Sequence, residues 1–588
     1  MITVKKLLSY LCAIALLLNH SDTVIVKAKE ASVFDSGERT TLFNENWMFS
    51  ENGSSFEPVT LPHDWSIDEA FDTAYEAESG FLPGGNGTYT KSVIFPASCR
   101  DKRILLEFEG VYQNAKVTVN GKLLGEHPYG YTSFAFDLSD VLIMDGKREN
   151  KIVVEVSNPI PGSRWYTGSG IYRDVYLTVT EKQYIDRGGV KIETPEPGSS
   201  IQMGHTSISV EVGNDAAEKR TLTLRTILLD SVGVPVSNAV NDTITLDGHE
   251  KAVIDQTVDL NNPVLWTVDN PVQYTCRTRL TDEDGTVLDS VDTRFGYRWS
   301  EFDAKNGFTL NGEPLKLKGV CLHHDFGALG AASMHAAVDY RLDQLKEMGV
   351  NAVRIAHNPA DGYLLEACSK RGILVIEEAF DTWTNAKNHN TYDYSSIFSQ
   401  KISSSNQILG KREGMTWSEF DIREMVRHSR NEPCVILYSI GNEILGNIGG
   451  DTEDYPALAE QLCEWVNELT DTRPVTIADN MTLHNNETQL AMDTAVHQAG
   501  GVIGLNYATA ESMERYHSEH PKWRLFGRRQ LLLYGQVEGL EVRCKFSGKG
   551  GDIKVEAGDC GGFLDAAIGC KCGSAVYWLS VNCLFYSQ

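Results

Sequence analysis

Positive charge is scarce in this sequence. In 588 residues, 53 lysines and arginines face 80 aspartates and glutamates, a formal net charge of −27. With no basic stripe, the chain lacks the electrostatic footprint of a nucleic-acid partner, and none is expected. It has no Cys-x-x-Cys pair and no His/Cys cluster at metal-ligand spacing, so a structural zinc site is not expected. No glycine-rich loop joins a strand to a helix; the run 80–87 lies among strand-like segments, which argues against a nucleotide phosphate cradle. A nucleophilic serine with a matching His/Asp pattern is also absent. Beyond the N-terminal run, no segment is long and apolar enough to cross a bilayer. There is no visible internal repeat and no low-complexity linker.

The remaining composition is that of a globular protein, with 41% hydrophobic and 23% charged residues. At roughly 100–200 residues per domain, the length suggests about three to five domains. Lys5 and Lys6 precede an apolar run at 7–18, the pattern of a secretory signal peptide. Residues 1–29 are therefore expected to be a signal segment, with an uncleaved anchor as the alternative. The implied location is secreted, periplasmic or cell-surface.

From about residue 35 to 181 the chain reads as short strands, among them 102–108, 115–119 and 151–156. Turn signals such as Asn120-Gly121 and Asp145-Gly146 separate them. A second β region at 184–298 has strand candidates at 207–212, 221–229, 251–260 and 274–280, and its size suits an immunoglobulin-like sandwich. From 300 onward strands alternate with helices. Strands are expected at 315–322, 352–355, 373–377, 435–440, 475–477, 503–506 and 524–526, and helices at 339–348, 362–370 and 417–428. This is the rhythm of a parallel sheet and most simply of a (β/α)8 barrel, ending after the seventh strand near 527.

In such a barrel the chemistry lies at the C-terminal strand ends. Those ends carry His323-His324-Asp325, Arg354 and His357, Glu377-Glu378 with Asp381, Asn442-Glu443 and Asn506-Tyr507. Glu443 follows an apolar strand, the setting a general acid needs, and arginine, histidine and tyrosine on the same rim can bond sugar hydroxyls. His323, His324 and Asp325 lack further spaced ligands, so no metal site is expected. Aromatic residues support a carbohydrate ligand, because their rings can stack on a sugar face. Each tryptophan taken alone is better read as a core aromatic, Trp65 and Trp383 included, and Trp165 beside Arg164 in a Gly/Ser loop is the least core-like of them.

Nine ordered motifs then carry a specific resemblance: LPHDW (61–65), GFLPGGNGTYTK (80–91), VTVNGK (117–122), GYTSFAFDLS (130–139), SRWYTGSGIYRDV (163–175), FTLNGEPLKLKGVCLHHD (308–325), NAVRIAHNP (351–359), EAFDTW (378–383) and HSRNEPCVILYSIGNE (428–443). The chain resembles glycoside hydrolase family 2, and within it the β-galactosidase branch. That resemblance implies a jelly-roll sugar-binding domain, an immunoglobulin-like domain and a TIM barrel, in this order. It implies Glu443 as catalytic acid/base and Asn442 as a partner of the sugar 2-hydroxyl. Arg354, His357, His323 and Tyr507 would line the sugar pocket, and Asp381, Asp64, Arg164 and Trp165 would shape its glycone end. Tyr438 stands where the family commonly has tryptophan. No cofactor is implied, although a family-type Mg²⁺ or Na⁺ site would fall near Glu378. The implied partners are β-galactoside oligosaccharides or glycans, and a homo-oligomer is left open.

A retaining enzyme needs a second carboxylate about 5 Å from the first. The family places it in a GSET-like motif at the end of the seventh strand, where this chain reads Gly527-Arg528-Arg529-Gln530, with no carboxylate before Glu538. The bases encoding 527–537 can be chosen so that the frame one position earlier reads S-E-T-A-S-S-V-R-S. Residues 528–588 are thus expected to be an out-of-frame tail. Five of the 12 cysteines fall in its last 45 residues, a crowding that a shifted frame explains better than a disulfide scaffold does. The expected activity is retaining exo-β-galactosidase by ancestry, silent in the chain as written. The alternatives are β-glucuronidase, β-mannosidase or a non-catalytic carbohydrate-binding protein.

Overall fold

The computed structural model describes residue 34 and residues 38–195, 202–446, 448–481, 486–528 and 584–586, with Arg528 and 584–586 described by backbone alone. The expected signal segment, the tail from 529 to 583 and its strand-like piece at 575–579 lie outside the described residues.

The N-terminal domain is a sandwich of two antiparallel sheets. One has the order Thr40–Leu42, Val175–Thr180, Arg103–Phe108, Phe134–Asp137. The other has the order Glu57–Val59, Trp47–Glu51, Gly85–Val93, Asn150–Asn158, Ala115–Val119, Lys122–His127. Period-two patterning decides which face is core: Ala115–Val119 and Asn150–Asn158 bury every second side chain. Asn120 and Gly121 take φ of 50° and 81°, the two left-handed positions of a tight hairpin turn.

The second domain packs a three-stranded sheet (Gln183–Glu193, Met203–Asn214, Glu250–Asn261) against a four-stranded one (Val240–Leu246, Arg220–Leu229, Tyr274–Thr281, Val287–Phe295). It encloses a core of its own, built around Val210, Val212, Leu224, Leu228 and Cys276.

Seven barrel strands follow in chain order, all parallel: β1 (Lys318–Leu322), β2 (Ala352–Ile355), β3 (Leu374–Glu378), β4 (Val435–Asn442), β5 (Val475–Asp479), β6 (Val502–Asn506) and β7 (Leu525–Arg528). All eight residues of β4 are buried, because helices cover one face of a parallel sheet and barrel side chains fill the other. The backbone of Leu584–Tyr586 runs antiparallel beside β1, the opposite sense to the closing strand of a (β/α)8 barrel.

The helices are α1 (His335–Glu347), α2 (Gly362–Arg371), α3 (Trp417–Ser429), α4 (Tyr455–Asn467), α5 (Glu487–Gln498) and α6 (Ala510–Glu519). Their ends have local causes. Asp361 and Thr416 accept hydrogen bonds from Leu364 N and Glu419 N at the starts of α2 and α3, and Gly372 stops α2 with φ of 65°. Among the described residues no helix is long and apolar enough to cross a membrane.

The jelly roll and the barrel share one continuous apolar core that runs from Trp47 and Phe108 through Phe380 and Trp417 to Leu437 and Val475. Polar clamps fix the seam. Arg173 donates to the carbonyls of Tyr131, Pro359 and Ala360 at 2.7, 2.8 and 3.1 Å. His127 Nε2 lies 2.9 Å from Asp421 on α3. Arg187, at the start of the second domain, reaches Glu107 of the jelly roll and Glu424 of α3 at 2.7 and 2.6 Å.

Candidate active site

The polar residues at the strand ends converge because every parallel strand points its C-terminus to one rim. At the centre is Glu378, the last residue of β3, whose side chain is fully buried. Arg354 on β2 reaches its two oxygens at 2.9 and 2.7 Å, His357 Nδ1 lies 2.6 Å from one, and Ser439 Oγ donates to the other at 2.8 Å. Burial pulls the Arg354 guanidinium down and Glu378 more than offsets it, so the net direction is up. Burial lowers His357 to about 3, against the pull of Glu378. The neutral ring therefore donates Nδ1–H to the carboxylate.

One layer outward, Arg354 Nη2 donates to Asn442 Oδ1 at 2.9 Å, and Asn442 Nδ2 donates to Asp381 at 2.8 Å. Arg164, from the jelly-roll loop, grips Asp381 with Nε at 3.0 Å and Nη2 at 2.7 Å. Lys387 Nζ donates to the Asn442 carbonyl at 2.5 Å and lies 3.5 Å from Asp381. Burial alone would raise Asp381, but Arg164 and Lys387 hold it well below the usual carboxylate range. Burial lowers Lys387 to about 8, with Asp381 opposing.

Glu443 follows β4 with φ of 46°, a left-handed conformation that costs a non-glycine residue roughly 1–3 kcal/mol and is held only where its surroundings demand it. Its N–H donates to Ala478 O at 2.7 Å, and Asn506 Nδ2 donates to its Oε1 at 2.6 Å. Tyr507, also left-handed at φ 59°, is 37% exposed on the rim. Trp165 packs against His323 with ring centres 4.1 Å apart and against His357 at 5.6 Å. A cavity of about 40 Å³ opens beside Arg164, Asp381, Lys387, Asn358 and Tyr131.

The structure thus brings Glu443, Asn442, Arg354, His357, His323, Asp381, Arg164 and Trp165 to one rim, with Tyr507 beside Asn506 at its edge. Asp64 lies behind them, engaged by the protein. Its two oxygens accept from Ser66 N, Ser169 N, Tyr166 Oη and Ala331 N at 3.0, 2.8, 2.6 and 2.8 Å, so its acceptor sites are filled by the protein. It anchors the loop that presents Arg164 and Trp165. Trp65 and Trp383 are core residues, 1% and 0% exposed.

A cation at Glu378 does not fit either. Both carboxylate oxygens already serve Arg354, His357 and Ser439, and a metal there would meet a guanidinium. Among the described residues no three His, Cys, Asp or Glu side chains gather to hold a metal. His323 turns to Trp165, while His324 stacks edge-on to Tyr131.

Sequence reasoning did not find Lys387, which sits in an Asn-rich loop with no signal of its own. It also undervalued Asn506 and Glu378, although their positions at strand ends were the available clue. At β7, the backbone of Arg528 pairs with Asn506, the residue whose side chain donates to Glu443.

Three family models match in order: glycosyl hydrolases family 2, sugar binding domain, at residues 46–181; glycosyl hydrolases family 2 at 184–298; and glycosyl hydrolases family 2, TIM barrel domain, at 303–529. A β-galactosidase of Bacteroides ovatus is 34% identical over 433 residues, covering 72% of this chain and 48% of that protein. A β-glucuronidase of Bacteroides fragilis is 28% identical over 501 residues, covering 82% and 67%. A solved family 2 structure from Bacteroides cellulosilyticus superposes with a TM-score of 0.74 at 32% identity, over 83% of this chain and 61% of that one. The chain spans about half the length of the Bacteroides ovatus relative. Domain order, barrel-rim geometry and these matches agree: the chain belongs to glycoside hydrolase family 2.

Proposed function

We propose that this chain descends from a retaining exo-β-galactosidase acting on terminal non-reducing β-D-galactosyl residues of oligosaccharides or glycans. Glu443 acts as acid/base, and Asn442, Asp381 and Arg164 hold the sugar. The observation that carries the reading is the placement of Glu443 at the end of β4, hydrogen-bonded to Asn506 and facing the end of β7. In a retaining glycosidase a second carboxylate stands there, about 5 Å away. Arginine occupies both Arg528 and Arg529, so the covalent route has no nucleophile and the chain as written is inactive.

A neutral sugar is favoured over a uronic acid. Among the described residues lining the cavity, the cations are Arg164 and Lys387, and both are committed to Asp381. Among those lining residues no spare cation remains to meet a substrate carboxylate. The reading includes export to the periplasm, cell surface or medium. The second reading, a carbohydrate-binding protein without turnover, rests on the missing carboxylate at 528–529.

The test is a paired assay on the chain as written and on a chain whose reading frame is shifted at codon 527. We expect the first to bind a galactose-configured inhibitor without hydrolysing nitrophenyl β-galactoside, and the second to hydrolyse it. Cleavage of nitrophenyl β-glucuronide in its place would overturn the galactoside assignment. Turnover by the chain as written would overturn the claim of inactivity.

A further inference from the structure

We propose that Arg298 and Arg473 bind a single halide-sized anion at the junction of the immunoglobulin-like domain and the floor of the barrel, remote from the strand ends that form the sugar pocket. Both side chains are more than nine-tenths buried, at 5% and 7% exposure. They converge on one acceptor: Arg473 Nε donates to Val435 O at 3.1 Å, and Arg298 Nη2 donates to the same oxygen. Arg298 also donates to Pro433 O and Ser300 Oγ, each at 3.0 Å. Arg473 also donates to Glu432 O and Thr472 Oγ, again at 3.0 Å.

Every one of these acceptors is neutral. Among the described residues neither guanidinium has a carboxylate in ion-pair range. Glu432 gives Arg473 a hydrogen bond only through its backbone; its carboxylate accepts from Ser369 Oγ at 2.6 Å and acts on Arg473 at Coulombic range without direct pairing. Two buried positive charges therefore meet without a directly paired counter-charge, an arrangement that folding does not favour unless something negative joins it. Burial, and after it the neighbouring Arg473, push Arg298 down to about 9.

The pair has both the space and the donors for an occupant. A cavity of about 10 Å³, lined by Ile192, Thr194, Phe295, Asn431 and the two arginines, has room for one water-sized particle. Phosphate, sulfate or a carboxylate ligand would not fit it. Each guanidinium carries five N–H groups; three on each are engaged above, which leaves 5 − 3 = 2 per arginine. An anion held there would pin the turn that leads into β4, the strand whose far end presents Asn442 and Glu443.

Crystals of the full chain grown in sodium bromide test the site. The expected result is an anomalous bromide peak between the two guanidinium groups. In parallel, the melting temperature in bromide or chloride should exceed that in methanesulfonate at equal ionic strength by about 2–4 °C, since a ligand bound only by the native state stabilises it. Arg473→Lys keeps the charge but loses the planar donors, and it should abolish that difference, with Arg298→Met as a second variant. Water in the cavity of bromide-grown crystals, or equal melting in the two salts, overturns the proposal.

Discussion

Arg164 of the jelly roll and Asp381 of the barrel form a two-pronged pair, Nε to Oδ2 at 3.0 Å and Nη2 to Oδ1 at 2.7 Å. Two domains thereby complete one pocket, and Asp381 is held charged even though it is buried. Lysine cannot reproduce the planar fork. Arg164→Lys should weaken binding of a galactose-configured inhibitor by about tenfold, corresponding to roughly 1.4 kcal/mol. Isothermal calorimetry measures this, and unchanged affinity would remove Arg164 from the sugar site.

Arg354 and Glu378 are both completely buried. Removing one member of such a pair leaves an uncompensated charge, at a cost of about 3–5 kcal/mol. Arg354→Met should therefore lower the denaturation midpoint sharply, and adding Glu378→Gln should recover part of the loss. Additive single effects in a double-mutant cycle would contradict direct coupling.

Glu377 is the outward neighbour of Glu378. Burial pushes its carboxyl up to about 7, Ala360 N bonds Oε1, and Oε2 has no partner. Its folded value lies above its unfolded one of about 4.3. Between those values the unfolded chain has already lost the proton that the folded chain keeps, so stability from this group falls as pH rises from about 4.3 to 7. Glu377→Gln should match the parent near pH 4 and exceed it at pH 8 by about 1–3 kcal/mol. Urea melts at the two pH values decide this.

Lys387 has the opposite charge type. Its folded value of about 8 lies below the unfolded value of about 10.4. The folded chain gives up this proton first as pH rises, so its contribution to stability grows between about 8 and 10.4. The hold on Asp381 and the Asn442 carbonyl weakens over the same range, and inhibitor affinity should decline above pH 8. Lys387→Met should bind weakly at every pH and show no such decline. A parental profile that stays flat from pH 7 to 9.5 would contradict the assignment.

In the frame-restored chain, Glu443→Gln removes the proton donor and keeps the size and the Asn506 contact. A leaving group that needs protonation should suffer most, so hydrolysis of an alkyl galactoside should fall by about 10²–10⁴-fold and that of a dinitrophenyl galactoside much less. Equal losses on both substrates would point to a folding defect instead.

Much of this was legible from residue pattern. The Asn120-Gly121 hairpin, the alternation in Asn150–Asn158 and the strand at Val435–Asn442 follow from local rules, and each lies where those rules put it. The rim residues were legible because a parallel barrel sends its strand ends to one side. How Asp64 acts was not legible, because a motif displays a carboxylate but not who occupies its lone pairs; four donors from three loops do so. Lys387 was invisible for a related reason. Its role arises from a loop folding back over β4, a contact between positions 55 residues apart. The antiparallel approach of Leu584–Tyr586 to β1 was likewise beyond local pattern.

The jelly roll and the barrel share one continuous core, to which Trp266 and Val268 also belong, whereas the rest of residues 184–298 encloses a core of its own. Gene boundaries drawn from domain names would cut through that shared interior. A barrel expressed alone would present the apolar face around Phe380, Tyr394 and Trp417 that Tyr129 and His127 now cover, and chaperones and proteases would treat it as an unfinished protein. The immunoglobulin-like unit is the more separable piece, tied to that interior through Trp266, whose indole N–H donates to Ser369 O at 2.9 Å. In a heating scan the molecule should melt as two cooperative blocks, although its chain carries three domain names.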